Sequence, residues 1–169
     1  MNVSDTLQKL VNLLGHSENE PELQKLFIEL GEKFPLKRPR RDDNDGYLLE
    51  DNKKKNRGYH LGVKYAEALP LGRNNDKFKE GELVFYSIQD IVDKEKFKGT
   101  TFPFGISWNI TPTQATELLG QYYDYDKGSI DDTYYWRKGE IVIMLSFTDN
   151  CLVWITYRVL IDSDLKYFN

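Results

Sequence analysis

Apolar positions near the start of the chain recur at helical spacing. Leu7, Leu10, Val11 and Leu14 stand at i, i+3, i+4 and i+7, so residues 4–15 form a helix with one buried face. Gly15 ends it. Leu23, Leu26, Phe27 and Leu30 repeat the spacing over residues 21–31. Pro21 stands in the first turn, where a missing N–H costs nothing, and Gly31 stands at the stop. Joined by "HSENE" (16–20), the two stripes predict a helical hairpin.

Past the polar, proline-broken segment "PLKRPRRDDNDG" (35–46), the period changes to two. Tyr59, Leu61, Val63 and Tyr65 alternate with His60, Gly62 and Lys64, the pattern of a strand; Leu83–Ile91 predicts a second, and Tyr47–Glu50 a short one ahead of both. "LPLGRNNDKFKEG" (69–81) and "KEKFKG" (94–99) read as exposed connections. In "FPFGISWNITPTQATELLG" (102–120) an extended piece closes at Ile106 and Trp108, and a helix follows. Thr111 is its N-cap, Pro112 is N1, Gln114 at N3 completes a capping box, Leu118 and Leu119 face inward, and Gly120 terminates it.

Residues 133–161 predict a three-strand meander, with Lys138-Gly139 and Asp149-Asn150 as two-residue turns that tolerate positive φ. On its last strand Val153, Ile155, Tyr157 and Val159 make a core row. Leu152, Trp154, Thr156 and Arg158 make the opposite row, a semi-apolar face that is either a contact surface or covered by a loop or helix. A helix ending in Leu-Leu-Gly precedes antiparallel strands in each half of the chain. The expectation is therefore a single α+β domain over residues 1–169, built of two unequal helix-then-strands units, 1–99 and 100–169, with helices packed on antiparallel sheet.

Composition narrows the function. One cysteine, Cys151, permits no internal disulfide and suits a reducing compartment; it enters an apolar strand and reads as a buried structural thiol. The first residues carry no signal-peptide pattern, and no apolar run approaches the ~20 residues of a membrane span, so a cytoplasmic protein is expected. A net charge of -4 disfavours nucleic acid as partner and suits a basic protein. The basic run "KRPRR" (37–41) is cancelled by the acids and amide that follow it.

Catalytic chemistry is sparse. No G-x-S-x-G, P-loop or G-x-G-x-x-G occurs. Aligning "RDDNDG" (41–46) on Gly46 as the glycine of a calcium loop puts Arg41 at the first ligand position and Asn52 at the last, which rules that motif out. No catalytic, cofactor or metal residues are assigned. The enzymatic alternative is a small hydrolase or ligand-binding enzyme using His60 as base with a carboxylate such as Glu67, for which no nucleophile is found.

The richest stretch is "QYYDYDKGSIDDTYYW" (121–136), which mixes aromatic anchors with acids. Acids steer encounter with a cationic surface and rings supply buried area, so Tyr122, Tyr123, Asp124, Tyr125, Asp126, Asp131, Asp132, Tyr134 and Trp136 are the candidate contacts. Strand residues flanking a wide loop would show the same pattern without any partner.

The ordered series "LQKLVNLLGHSENEPELQKLFIELG", a "GY" after a polar loop, "GYHLGVKY", "LVFYS" and "FPFGISWNITPTQATELLG" resembles bacterial immunity proteins of polymorphic-toxin and contact-dependent growth inhibition systems. The resemblance spans about residues 7–120, and the final meander fits it too. The second unit is also similar to helix-plus-antiparallel-sheet repeats of outer-membrane assembly lipoproteins and β-lactamase inhibitory proteins. Resemblance to immunity proteins implies a cofactor-free, non-enzymatic chain in the cytoplasm of the producing cell. It would neutralise a cognate toxin C-terminal domain, frequently a nuclease, by covering its active site or substrate-binding face. The partner is then a basic protein, with neither nucleic acid nor membrane involved, and the chain a monomer unless an open sheet edge pairs two copies. Contact positions do not transfer by resemblance, so the nine residues above rest on charge and aromaticity alone.

Overall fold

The computed structural model describes residues 2–40, 46–70 and 77–168, and among these three α-helices and seven strands form. Helix α1 (Val3–Leu13) starts where the Asn2 side chain accepts the Asp5 N–H at 2.8 Å. Helix α2 (Pro21–Glu29) opens on its proline. In α3 (Pro112–Leu119), Thr111 and Gln114 form the expected reciprocal cap, and Gly120 leaves the helix at φ 88°. Two inward leucines were expected there, but adjacent residues on a helix point about 100° apart. Leu119 is buried and Leu118 is exposed.

The strands are β1 (Gly46–Leu49), β2 (His60–Tyr65), β3 (Leu83–Ile91), β4 (Asp124–Lys127), β5 (Asp132–Lys138), β6 (Ile141–Thr148) and β7 (Cys151–Val159). They make one sheet in the order β1-β2-β3-β7-β6-β5-β4, antiparallel throughout, so the fold class is α+β as expected. The strands of the two sequence units meet where β3 pairs with β7, at Ser87–Arg158 and Ile88–Tyr157. Strand β4 is an addition to the expected meander. Its hairpin with β5 closes where the Gly128 N–H meets the Asp131 carbonyl at 2.8 Å.

The segment between α1 and α2 is more than a turn. Strand β7 reaches only as far along β3 as Ser87, leaving the same edge of Leu83–Phe85 without a strand partner. The α1–α2 segment takes that place. Gly15 N–H donates to the Phe85 carbonyl at 2.8 Å, Phe85 N–H to the His16 carbonyl at 3.0 Å, and Glu18 N–H to the Leu83 carbonyl at 2.8 Å. Glu18 is buried and also receives both guanidinium N–H arms of Arg38. Part of the basic run at 37–41 is thus neutralised by a helix-linker acid. The remaining acidic loop, residues 41–45, and residues 71–76 of the second expected connection lie outside the described residues.

Two details of the β5–β6–β7 meander depart from the expected pattern. The turn after β5 is Gly139–Glu140, with Lys138 still paired to Ile141, so it sits one residue later than expected. A register shift between Ser146 and Phe147 pairs Ser146 with Trp154 but Phe147 with Leu152, leaving Val153 as the extra residue of a bulge. Side-chain alternation resets there. Leu152, expected on the open row, is fully buried in the core, whereas Val153, expected in the core row, is half-buried. Cys151, expected to be buried, is exposed, because it pairs with Thr148 beside the Asp149–Asn150 turn, before the strand enters the core.

The core lies on the helix side of the sheet. Phe27, Phe85, Phe97, Phe102, Trp136 and Tyr157 are fully buried there. The two polar handles are satisfied, Trp136 Nε1 donating to the Gly120 carbonyl at 2.8 Å and the Tyr157 hydroxyl to the Pro103 carbonyl at 3.0 Å.

The bulge predicts unequal neighbours. Leu152→Ala leaves a cavity and lowers stability by about 2–5 kcal/mol in denaturant unfolding, whereas Val153→Ala costs less than about 1 kcal/mol. Equal losses would place both residues in the core.

Candidate functional site

On the face of the sheet away from the core, alternation sets out Trp154, Thr156 and Arg158 of β7, Met144 and Ser146 of β6, and Thr133 and Tyr135 of β5, with Lys64, Tyr86 and Gln89 from β2 and β3. No residue of α1, α2 or α3 stands over them; they line a groove of about 320 Å³. Trp154 is 41% exposed. Tyr86 lies across Gly62, where an added Cβ would meet Ser87 Oγ and lie 2.6 Å from the tyrosine ring. The absence of a side chain at Gly62 is what lets that ring lie down on the strand.

The polar groups of the groove pair among themselves. Thr133 and Ser146 hydroxyls share a hydrogen bond of 2.7 Å. Gln89 Nε2 donates to Ser87 Oγ at 2.8 Å and to the Tyr86 hydroxyl at 3.2 Å. Lys64 Nζ sits 5.1 Å above the Tyr86 ring.

One corner of the same face is covered by the chain's own 3₁₀ turn, Asp162–Tyr167. Arg158 holds it through two parallel bonds to the Asp164 carboxylate, at 2.6 and 2.9 Å. Ile161 N–H and the Tyr123 hydroxyl donate to the same carboxylate at 2.8 and 3.0 Å. Burial alone would raise the Asp164 pKa, but these donors outweigh it and hold the carboxyl below its ordinary value of 3.8. Tyr123 moves the other way, since burial and then the neighbouring Asp164 charge both resist its ionisation. Its ring packs 4.8 Å from Phe168 and 5.3 Å from Tyr167, and Arg137 lies 4.4 Å above Phe168.

The nine contact candidates do not form one patch. Cross-strand partners share a face, so Tyr125, opposite Tyr134, falls on the helix side with it, while Asp124 and Asp126, opposite Tyr135 and Thr133, fall on the groove side. Tyr122, Tyr125, Tyr134 and Trp136 nest together, with ring centroids 4.8–6.3 Å apart. Trp136 is fully buried and is corrected from contact candidate to core residue, because its alternation on β5 points it under α3. Asp131 accepts the Thr148 hydroxyl next to the β4–β5 turn. Asp132, opposite Phe147, shares the helix side with Tyr134. Tyr123, Asp124 and Asp126 remain beside the groove. Tyr86 and Met144 were absent from the sequence candidates; alternation along β6 gives Met144 its face once the sheet order is known, whereas Tyr86 reaches the groove as the extra residue of a register shift, with Gly62 paired to Ser87 and Val63 to Phe85.

His60 and Glu67 stand at opposite ends of β2. His60 Nδ1 accepts the Asp51 N–H at 2.8 Å and Nε2 faces the Asp90 carboxylate at 3.6 Å, whereas the Glu67 carboxylate accepts the Gly81 N–H at 3.3 Å. Among the described residues, no group of three or more His, Cys, Asp or Glu is placed to hold a metal ion, and no helix is long and apolar enough to cross a membrane.

Because the native Asp164 pKa is depressed, its contribution to stability is complete above the ordinary carboxylate value of 3.8 and is lost as pH falls through the lower native value. Asp164→Asn strips the charge from a buried pair and costs about 3 kcal/mol at pH 7. The variant also loses the part of the acid-limb slope, below pH 3.8, that this group supplies in the native chain. Urea unfolding at a series of pH values measures both, and parallel acid limbs would show that the corner carries no charge coupling.

No protein-family model matches the chain, and no curated protein matches it. Among solved structures, the crystal structure of a DUF4309 family protein (YjgB) from Bacillus subtilis subsp. subtilis str. 168 is similar over 94% of this chain and 95% of that one, at 12% identity and a TM-score of 0.40, a likeness too distant to transfer a role.

Proposed function

We propose that this chain is a non-enzymatic immunity protein that neutralises a cognate toxin domain by forming a stoichiometric complex with it in the cytoplasm of the producing cell. The observation that carries the binding part of this reading is the uncovered sheet face: Trp154, Tyr86, Tyr135 and Met144 line an open groove beside the carboxylates of Asp124 and Asp126. Exposed aromatic surface that none of the three described helices covers marks a contact region, and an acidic margin draws a basic partner to it. Resemblance to immunity proteins supplies the narrower class. A non-catalytic role also suits His60, whose Nδ1 already accepts a backbone N–H and whose suggested carboxylate partner lies at the other end of the strand.

A protein that blocks a toxin before damage accumulates gains from fast encounter. Opposed charges raise association from roughly 10⁵–10⁶ M⁻¹s⁻¹ toward 10⁸–10⁹ M⁻¹s⁻¹ at low salt, and screening removes that gain as ionic strength rises. The basic cleft of a nuclease is the kind of surface that such a margin meets.

The reading is tested by co-purification with a candidate toxic C-terminal fragment, followed by stopped-flow association. The expected result is a stable complex whose association rate falls about tenfold or more between low and high salt. Changing Asp124 and Asp126 together to Lys slows association, while Thr113→Ala on α3 leaves it unchanged. Absence of any complex overturns the reading, and a rate indifferent to salt removes its electrostatic part.

A further inference from the structure

Resting on the binding reading above, we infer that the groove takes one large apolar side chain from the protein partner, delivered by a loop with a basic residue on the β4 side of that anchor. Its size is the first reason. At about 320 Å³ it lies at the small end of the ~300–1,000 Å³ range of ligand pockets and suits a single ring system better than an extended cofactor.

Chemistry of the lining is the second reason. A pocket that recognises a polar ligand keeps donors and acceptors free to meet it. Here Thr133 is bonded to Ser146, Gln89 to Ser87 and Tyr86, and Arg158 to Asp164, so the polar groups are largely used within the fold. The apolar part of the lining is the Trp154, Tyr86 and Tyr135 rings with Met144 and Ile161. A methionine floor between aromatic walls accommodates a range of apolar shapes, and the energy of such a contact concentrates in one desolvated anchor.

Charge at the rim sets the orientation. Asp124 and Asp126 project from β4 beside Tyr135, while Lys64 stands on the opposite margin, over Tyr86. A cation flanking the anchor is attracted on the β4 side and repelled on the β2 side. A segment acidic on both sides of its anchor would meet the two aspartates unfavourably.

The test uses the full chain and three blocked tripeptides, acetyl-Lys-Trp-Lys-amide, acetyl-Glu-Trp-Glu-amide and acetyl-Lys-Ala-Lys-amide, followed through the Met144 methyl and Trp154 indole signals in NMR titrations. Lys-Trp-Lys shifts both signals and binds at least threefold tighter than Glu-Trp-Glu, and Lys-Ala-Lys leaves them in place. Trp154→Ala, at an exposed position, abolishes the shift of Met144. Met144→Lys, which puts an ammonium in the floor, abolishes the shift of Trp154 and serves if the first variant fails to fold. Equal binding of the two tryptophan peptides overturns the assignment of the basic flank, and shifts caused equally by Lys-Ala-Lys overturn the apolar anchor. A toxin complex indifferent to Trp154→Ala overturns the groove and leaves the neutralising role intact. Tripeptide binding in a chain that forms no toxin complex upholds the groove and overturns that role.

Discussion

Seven strands become one sheet only because β3 and β7, distant in sequence, exchange hydrogen bonds around Ser87–Arg158 and Ile88–Tyr157. Without that ladder each half would be a small meander with an open edge and half a core. With it, Phe85 and Ile88 of the first half share one apolar layer with Ile155 and Tyr157 of the second. The joint is short, and its unpaired remainder along Leu83–Phe85 is closed by the backbone of the α1–α2 segment. The helices are therefore tied to the sheet by main-chain bonds as well as by side-chain packing.

A continuous antiparallel sheet has two faces, and the helices cover one. That side takes the fully buried rings and most of the buried aliphatic residues, so hydrophobic burial is concentrated there. Its opposite face is left with side chains that tolerate water at one end and apolar contact at the other, namely Trp154, Tyr86, Tyr135, Met144 and a set of hydroxyls that bond to each other. This is the physical origin of the groove: a surface stable enough in water to stand uncovered, yet apolar enough to gain from being covered.

The corner at Arg158 shows how the fold limits that exposure. A guanidinium on a sheet interior is costly unless paired, and the Asp164 carboxylate pairs it with a two-pronged geometry that fixes direction as well as charge. The turn carrying Asp164 is thereby held over the sheet, and Tyr123 is drawn under Tyr167 and Phe168. A candidate contact tyrosine has become part of the structure that frames the groove.

Local chemistry made much of this legible in the sequence. The helical stripes, the Thr111–Gln114 cap, the Asp149–Asn150 turn and the alternation along β2 are short-range features, because each is decided by neighbours within a few residues. The uncovered row of β7 could be suspected from Trp154, Thr156 and Arg158 for the same reason. Only tertiary structure decided that Leu152 is buried and Val153 stands at the bulge, that Trp136 lies beneath α3 while Tyr135 faces the groove, and that Asp164 neutralises Arg158. Each of these follows from register between strands or from contact between distant segments. One shifted pair reverses the face of every residue beyond it, and no local pattern carries that information.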